Sequence, residues 1–113
     1  GYFDLVICNH VLEHIPNDKK AISELYRVLK KPGIAILQVP ISRKLEATFE
    51  DPSITQPSDR ENAFGQFDHV RIYGQDYPTK LEEVGFKTNR TNLYRQYRKF
   101  GLIEEEDLFI NVK

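Results

Sequence analysis

The sequence contains no methionine and no tryptophan, and it has a single cysteine, Cys8. One cysteine excludes an internal disulfide, which fits a reducing compartment. No apolar stretch approaches the roughly 20 residues that cross a bilayer. The 16 basic and 17 acidic residues nearly cancel and form no long block of one sign, so the electrostatic footprint of a nucleic-acid-binding protein is missing. These absences predict a soluble, cytoplasmic protein that binds neither nucleic acid nor membranes.

The chain starts directly in an apolar strand pattern. Its 113 residues are enough for one small domain, which buries about two thirds of its unfolded surface. Residues 3–8 form a nearly continuous apolar run, typical of a strand buried on both faces of a parallel sheet. Because this run stands at the very start and no methionine precedes it, we expect the chain to be a fragment of a larger domain.

A strand-helix-strand unit follows. Asn17 is the predicted N-cap of a helix, and the lysines at 30–31 are predicted to place positive charge at its C-terminus. The Pro-Gly pair at 32–33 is predicted to stop the helix before a second buried strand at residues 34–39. Apolar residues recur in the helix at the spacing of one face: Ala21, Ile22, Leu25, Val28 and Leu29.

The second half of the chain is predicted to add smaller elements to the same single domain, residues 1–113. Residues 42–68 are polar, carry two prolines and are predicted to form a long loop or lid with one short helix at 58–64. The remaining predictions are a strand at 70–73, a helix through Tyr77, Leu81 and Val84 that ends at Gly85, an edge strand at 86–91, a short helix or turn at 93–102 and a last strand at 107–112.

Polar residues follow the first two predicted strands. Ligands of open parallel sheets bind beyond the carboxyl ends of the strands, so Asn9, His10 and residues 40–44 are the candidate lining of a site. His10 is the candidate base, because an imidazole can accept a proton near neutral pH. The alternative, that Asn9 and His10 only satisfy hydrogen bonds of a turn, stays open.

Other polar residues invite weaker interpretations. His69 and Arg71 share a face of an extended segment and are candidate substrate-binding residues, with a surface ion pair as the alternative. His10 and His14 have a spacing that resembles metal ligands around Glu13, but no third ligand is evident, so no metal site is predicted. Glu13 and His14 are instead interpreted as structural, and Cys8 as a small buried hydrophobic residue. The basic and aromatic residues at 94–100 fit an amphipathic helix better than a surface for single-stranded nucleic acid.

Several segments resemble a known family. Residues 3–15 and 24–33 are similar to the fourth strand, the fourth helix and the start of the fifth strand of class I S-adenosylmethionine-dependent methyltransferases, most closely the small-molecule group called type 11. Residues 64–74 resemble a pattern of some members, and residues 81–113 resemble the final helix and two strands. The resemblance implies a partial Rossmann-like α/β fold with flanking helices and a mixed sheet of strand order 4-5-7-6 in the family's numbering, its last strand antiparallel between two neighbours.

The resemblance also implies an activity. In the full-length protein it is methyl transfer from S-adenosylmethionine to a small molecule, with His10 as catalytic residue, Asn9 and His10 at the cofactor, and His69 and Arg71 at the substrate. The glycine-rich cofactor loop and the acidic ribose-binding residue of the family have no counterpart in this sequence, so weak or absent cofactor binding and no activity are expected of this chain alone. The alternative is a non-catalytic interaction module that forms a homodimer through the edge of strand 3–8.

Overall fold

A mixed β-sheet with helices packed on it forms the centre of the molecule. The computed structural model describes residues 1–102 and 106–113. These residues form, in chain order, β1 (Phe3–Asn9), α1 (Asp18–Val28), β2 (Leu29–Gln38), β3 (Phe49–Glu50), α2 (Pro57–Phe64), β4 (Arg71–Ile72), α3 (Tyr77–Val84), β5 (Lys87–Thr91), α4 (Tyr94–Tyr97) and β6 (Leu108–Val112), with short 3-10 turns at Leu12–His14 and Arg98–Phe100.

The main sheet has the order β1-β2-β6-β5. β1 and β2 are parallel, with Ile7 opposite Ile36, and α1 connects them. β6 runs antiparallel to both of its neighbours, β2 and β5. The predicted α/β class, with a mixed sheet and flanking helices, is therefore confirmed, and the last strand lies between its neighbours as expected.

Helix α1 begins as predicted but ends earlier. The Asn17 side chain accepts a hydrogen bond from the Lys20 N–H at 3.0 Å, which caps the N-terminus. The predicted stop at residues 32–33 is wrong, since Leu29 is already extended and pairs with Phe3 in the sheet. The lysines at 30–31 consequently lie in β2. Positive charge reaches the end of α1 from Lys113 instead, whose Nζ donates to the carbonyls of Tyr26 and Leu29 at 2.8 Å each.

The segment 42–68 contains two small elements. β3 pairs antiparallel with β4, and the short helix predicted at 58–64 is present as α2. The strand predicted at 70–73 is reduced to the two residues of β4, although Ile41 makes an isolated parallel bridge with Tyr73. A role of this segment as a lid stays a prediction.

The core lies on one face of the sheet. α1 and α3 contact each other, and the Tyr77 hydroxyl donates to the Leu37 carbonyl of β2 at 2.8 Å. The opposite face of β1 is open, with Phe3, Leu5 and Ile7 each more than half exposed. The prediction that this strand is buried on both faces is therefore wrong for this structure, because no described element covers its outer face. The buried apolar core comprises Leu12, Ile22, Leu29, Ala35, Leu37, Val39, Tyr73, Tyr77, Leu81, Phe86 and Phe109.

None of the helices in the described ranges is long and apolar enough to cross a membrane.

Candidate functional site

The carboxyl ends of β1 and β2 lie side by side. Asn9 is opposite Gln38 in the parallel pairing, and the His10 N–H donates to the Gln38 carbonyl at 2.8 Å. Both Asn9 and His10 are exposed beyond this pairing. The structure thus brings the two predicted residues to the ligand-binding edge of the sheet.

His10 adopts an unusual backbone conformation. Its φ of 56° lies in the left-handed region, and it is the one described residue other than glycine with a positive φ. This region disfavours a side chain with a Cβ atom, and such strained residues cluster at functional sites. The turn directs the chain from β1 into the 3-10 turn at Leu12–His14.

Two cavities, each of about 230 Å³, adjoin the residues after β2. Pro40 contacts both of them. The cavity toward β6, here the β6 cavity, is lined by Val39, Pro40, Ile41, Arg90, Asp107 and Phe109. The cavity toward α2, here the α2 cavity, is lined by Glu13, Pro40, Phe64, Gln66, His69 and Arg71.

Asp107 organises one wall of the β6 cavity. Its carboxylate accepts hydrogen bonds from Arg90 Nε at 2.6 Å, from Asn92 Nδ2 at 2.9 Å and from Arg43 Nη2 at 3.3 Å. Burial alone would raise the pKa of Asp107, but the bonds from Asn92 and Arg90 and the positive charges outweigh it and lower the pKa. No sequence pattern groups these residues, because they are far apart in the chain.

Arg71 is buried, and its guanidinium forms several hydrogen bonds within the protein. It is 2% exposed, and its guanidinium donates to the carbonyls of Leu12, Ile15 and Pro16 at 2.6, 2.6 and 2.8 Å. Its Nε also donates to Glu50 Oε2 at 2.7 Å. These bonds tie β4 to the segment that follows β1. The predicted contact of Arg71 with substrate stays a prediction, and the structure adds a role in positioning this segment.

Tyr73 continues this buried network. Its hydroxyl donates to Asp18 Oδ2 at 2.6 Å, and Arg71 Nε lies 3.6 Å from the same oxygen. Burial and the hydrogen bond to Asp18 raise the pKa of Tyr73 far above its ordinary value. Tyr73 therefore remains a neutral hydrogen-bond donor at physiological pH and connects β4 to the start of α1.

His69 lies beside Glu13 and His14, which are far from it in the sequence. The ring of His69 contacts the ring of His14 edge to face, with centroids 4.6 Å apart, and both lie beside Glu13. His14 Nδ1 is 3.2 Å from the Asp68 carbonyl oxygen. The sequence spacing suggested His10 and His14 as a pair of histidines near Glu13. In the structure, His14 lies beside His69 instead.

Comparison with known proteins agrees with this architecture. Residues 1–37 match the family model described as a methyltransferase domain. All of this chain aligns with 32% of a protein assigned as an O-methyltransferase from Nostoc punctiforme PCC 73102, at a TM-score of 0.60 and 14% identity. The chain has a methyltransferase fold. A second methyltransferase, an S-adenosylmethionine-dependent protein from Mesorhizobium loti, aligns over 99% of this chain and 62% of its own, at a TM-score of 0.56 and 12% identity.

The methyltransferase resemblance seen in residues 3–15 and 24–33 is thereby confirmed. This chain spans about a third of the first methyltransferase structure and under two thirds of the second. Comparison with curated proteins found no match.

The two predicted contacts with S-adenosylmethionine lie together at one strand end. Asn9 and His10 offer polar groups at the end of β1. Glycines with positive φ, which let a backbone approach a ligand closely, occur at Gly65, Gly85 and Gly101, and each of these ends a helix or 3-10 turn rather than following a strand. A glycine cradle for the cofactor is therefore missing from the part of the chain that the structure describes.

Proposed function

We propose that this chain forms the acceptor side of a methyltransferase that, in the full-length protein, transfers a methyl group from S-adenosylmethionine to a small molecule. The observation that carries the proposal is the juxtaposed carboxyl ends of β1 and β2, which present Asn9 and His10 beside residues 39–41 of the cavity walls. The family match over residues 1–37 covers the same strand pair.

When bound, S-adenosylmethionine supplies a methyl group on a positively charged sulfur. His10 accepts the proton of the attacking hydroxyl or amine of the acceptor, and a positioned base of this kind contributes about 10²- to 10⁴-fold in rate. Asn9 offers both a donor and an acceptor to polar groups of the cofactor. The strained backbone of His10 supports this role, because residues in sparsely populated backbone conformations cluster at functional sites.

The α2 cavity is the proposed acceptor site. Its volume of about 230 Å³ suits a small molecule, and its wall combines the aromatic ring of Phe64 with the polar groups of Gln66 and His69. His69 is the proposed direct contact with the acceptor. Arg71 supports the same wall through its bonds to the carbonyls of Leu12 and Ile15.

The test is transfer of isotope-labelled methyl groups to a panel of small hydroxyl and amine compounds. We expect turnover by the full-length protein and none by the 113-residue chain alone. In the full-length protein, His10→Ala should lower kcat by about 10²- to 10⁴-fold. The exposed Glu82→Gln on α3 is the matched control and should leave kcat unchanged. Wild-type kcat in His10→Ala would overturn the assignment of the base.

A second candidate function is that of a non-catalytic interaction module. The observation that favours it is the outer edge of β1, which pairs only with β2 among the described strands and exposes Leu5 by 52% and Ile7 by 59%. Such an edge recruits another strand, and a second copy of this chain supplies an identical one. The module would then form an edge-to-edge homodimer.

Sedimentation of the 113-residue chain tests this candidate. A dimer at high micromolar concentration that becomes a monomer in Leu5→Lys is the expected result. Asn89→Lys is the matched control, because it adds the same charge to the exposed strand β5 at the other edge of the sheet. A strictly monomeric wild-type chain would contradict the candidate.

A further inference from the structure

Glu13 is buried, and no described residue forms a hydrogen bond with its carboxylate. The residue lies in the 3-10 turn after β1 and is 2% exposed. Neither of its carboxylate oxygens has a hydrogen-bond partner among the described residues. Buried polar groups are nearly always satisfied, and an ionised carboxylate is costly to remove from water unless a cation compensates it. The position of Glu13 therefore points to a positively charged ligand.

Two histidines converge on this carboxylate. His14 Nε2 lies 3.4 Å from Glu13 Oε1, and the ligand atoms of Glu13, His14 and His69 all lie within 4.8 Å of one another. Bonds of about 2.1 Å to a tetrahedral zinc ion hold two ligand atoms about 3.4 Å apart. The Glu13 and His14 pair has this separation, and the partly exposed His69 can close the remaining distance by turning its side chain.

Asp68 orients His14 for this role. His14 Nδ1 lies 3.2 Å from the Asp68 carbonyl oxygen and 3.4 Å from its carboxylate oxygen Oδ2. Histidines that bind metals usually donate their second ring N–H to such a carbonyl or carboxylate. With the proton held on Nδ1, the lone pair of Nε2 faces Glu13.

We propose that Glu13, His14 and His69 bind one divalent transition-metal ion such as Zn²⁺, with Asp68 as a positioning residue. Two imidazole nitrogens and one carboxylate form a donor set that suits these ions. Glu13 and His69 also line the α2 cavity, so the remaining coordination position of the ion opens toward it. The proposal is independent of methyl transfer, because its test measures metal binding alone.

The competing account is a protonated His14 between Glu13 and Asp68 without a metal. That arrangement gives His69 no part and predicts no saturable binding of a metal ion. The two accounts therefore differ in whether replacement of His69 changes metal binding.

Binding of Zn²⁺ by calorimetry and of Co²⁺ by its visible absorption tests the proposal on the 113-residue chain. We expect one ion per chain, and a loss of affinity of at least about 100-fold in Glu13→Gln, His14→Gln and His69→Gln. Asp68→Ala removes the carboxylate but leaves the backbone carbonyl that His14 Nδ1 contacts, so it should weaken binding by about 10-fold or less. The exposed Glu82→Gln on α3 is the matched control for Glu13→Gln and should bind as the wild type does.

Thermal unfolding gives a readout that does not depend on the spectroscopic probe. Zn²⁺ should raise the Tm of the wild type and leave that of Glu13→Gln unchanged, because an ion that binds only the folded state stabilises it. Glu13→Gln keeps the size of the side chain and should fold. Absence of binding at millimolar metal, or wild-type affinity in His69→Gln, would overturn the proposal.

Discussion

Replacement of Arg71 by methionine should destabilise the protein strongly. The change keeps a long apolar stem but removes the guanidinium, which is held by the carbonyls of Leu12, Ile15 and Pro16 and by Glu50. Because these carbonyls belong to the segment after β1, the loss should loosen that segment relative to β4.

The expected magnitude follows from the burial of these partners. Hydrogen bonds to a charged group contribute about 1.5–3 kcal/mol each, and removal of one member of a buried ionic network costs about 3–5 kcal/mol. Leu12 is fully buried, so its carbonyl cannot regain water, whereas the exposed Pro16 and Glu50 can. We therefore expect a loss of about 3–5 kcal/mol, a large part of the roughly 5–15 kcal/mol of a typical domain.

Urea unfolding measures this loss. For an m-value of about 2 kcal/mol/M, the midpoint of Arg71→Met should fall by about 2 M. Glu50→Gln is the control, since it removes only the exposed partner and should cost less than about 1 kcal/mol. Arg71→Lys keeps the charge and should give an intermediate loss, measurable even if the methionine variant does not fold. A methionine variant within about 1 kcal/mol of the wild type would refute the reasoning.

Three further predictions concern single groups. Tyr77→Phe leaves the Leu37 carbonyl without its buried donor and should lower the free energy of unfolding by about 1–2 kcal/mol, measured in urea. The lowered pKa of Asp107 stabilises the folded state above the unfolded carboxyl pKa of about 3.9, and this stabilisation is lost as the pH falls through the lower folded value. The stability difference between wild type and Asp107→Asn should accordingly be largest near neutral pH and vanish in acid, and a constant difference would contradict the assignment. His10→Gly should raise the Tm slightly or leave it unchanged, because glycine adopts a φ of 56° without strain, whereas a fall of several degrees would show that the side chain stabilises the fold.

Local features of the fold were predictable from the sequence. The apolar run at the start of the chain predicts β1, because the side chains of the run alone indicate a strand, although the predicted burial of both its faces is wrong. Asn17 and Gly85 mark helix ends through hydrogen bonding and backbone freedom of single residues. The end of α1 was not predictable, because the Lys-Lys-Pro-Gly run resembles a helix stop and only the pairing of Leu29 with Phe3 places it in a strand.

Only those residues of the candidate site that are neighbours in the sequence were predictable. Asn9 ends β1 and His10 follows it directly, so the rule for ligand sites in parallel sheets finds them. The grouping of His69 with Glu13 and His14 depends on the fold, since about half of the chain separates them. The burial of Arg71 likewise results from carbonyls that lie far from it in sequence, and no spacing rule predicts it.

Titration of the isotope-labelled 113-residue chain with S-adenosylmethionine tests the central claim most directly. The backbone amides of Asn9, His10, Val39 and Ile41, at the ends of β1 and β2, are followed by nuclear magnetic resonance. If, as proposed, this chain forms one side of a cofactor surface without a glycine cradle, shifts at these amides should grow across the millimolar range. Shifts confined to other parts of the molecule, or none at these four amides, would contradict it.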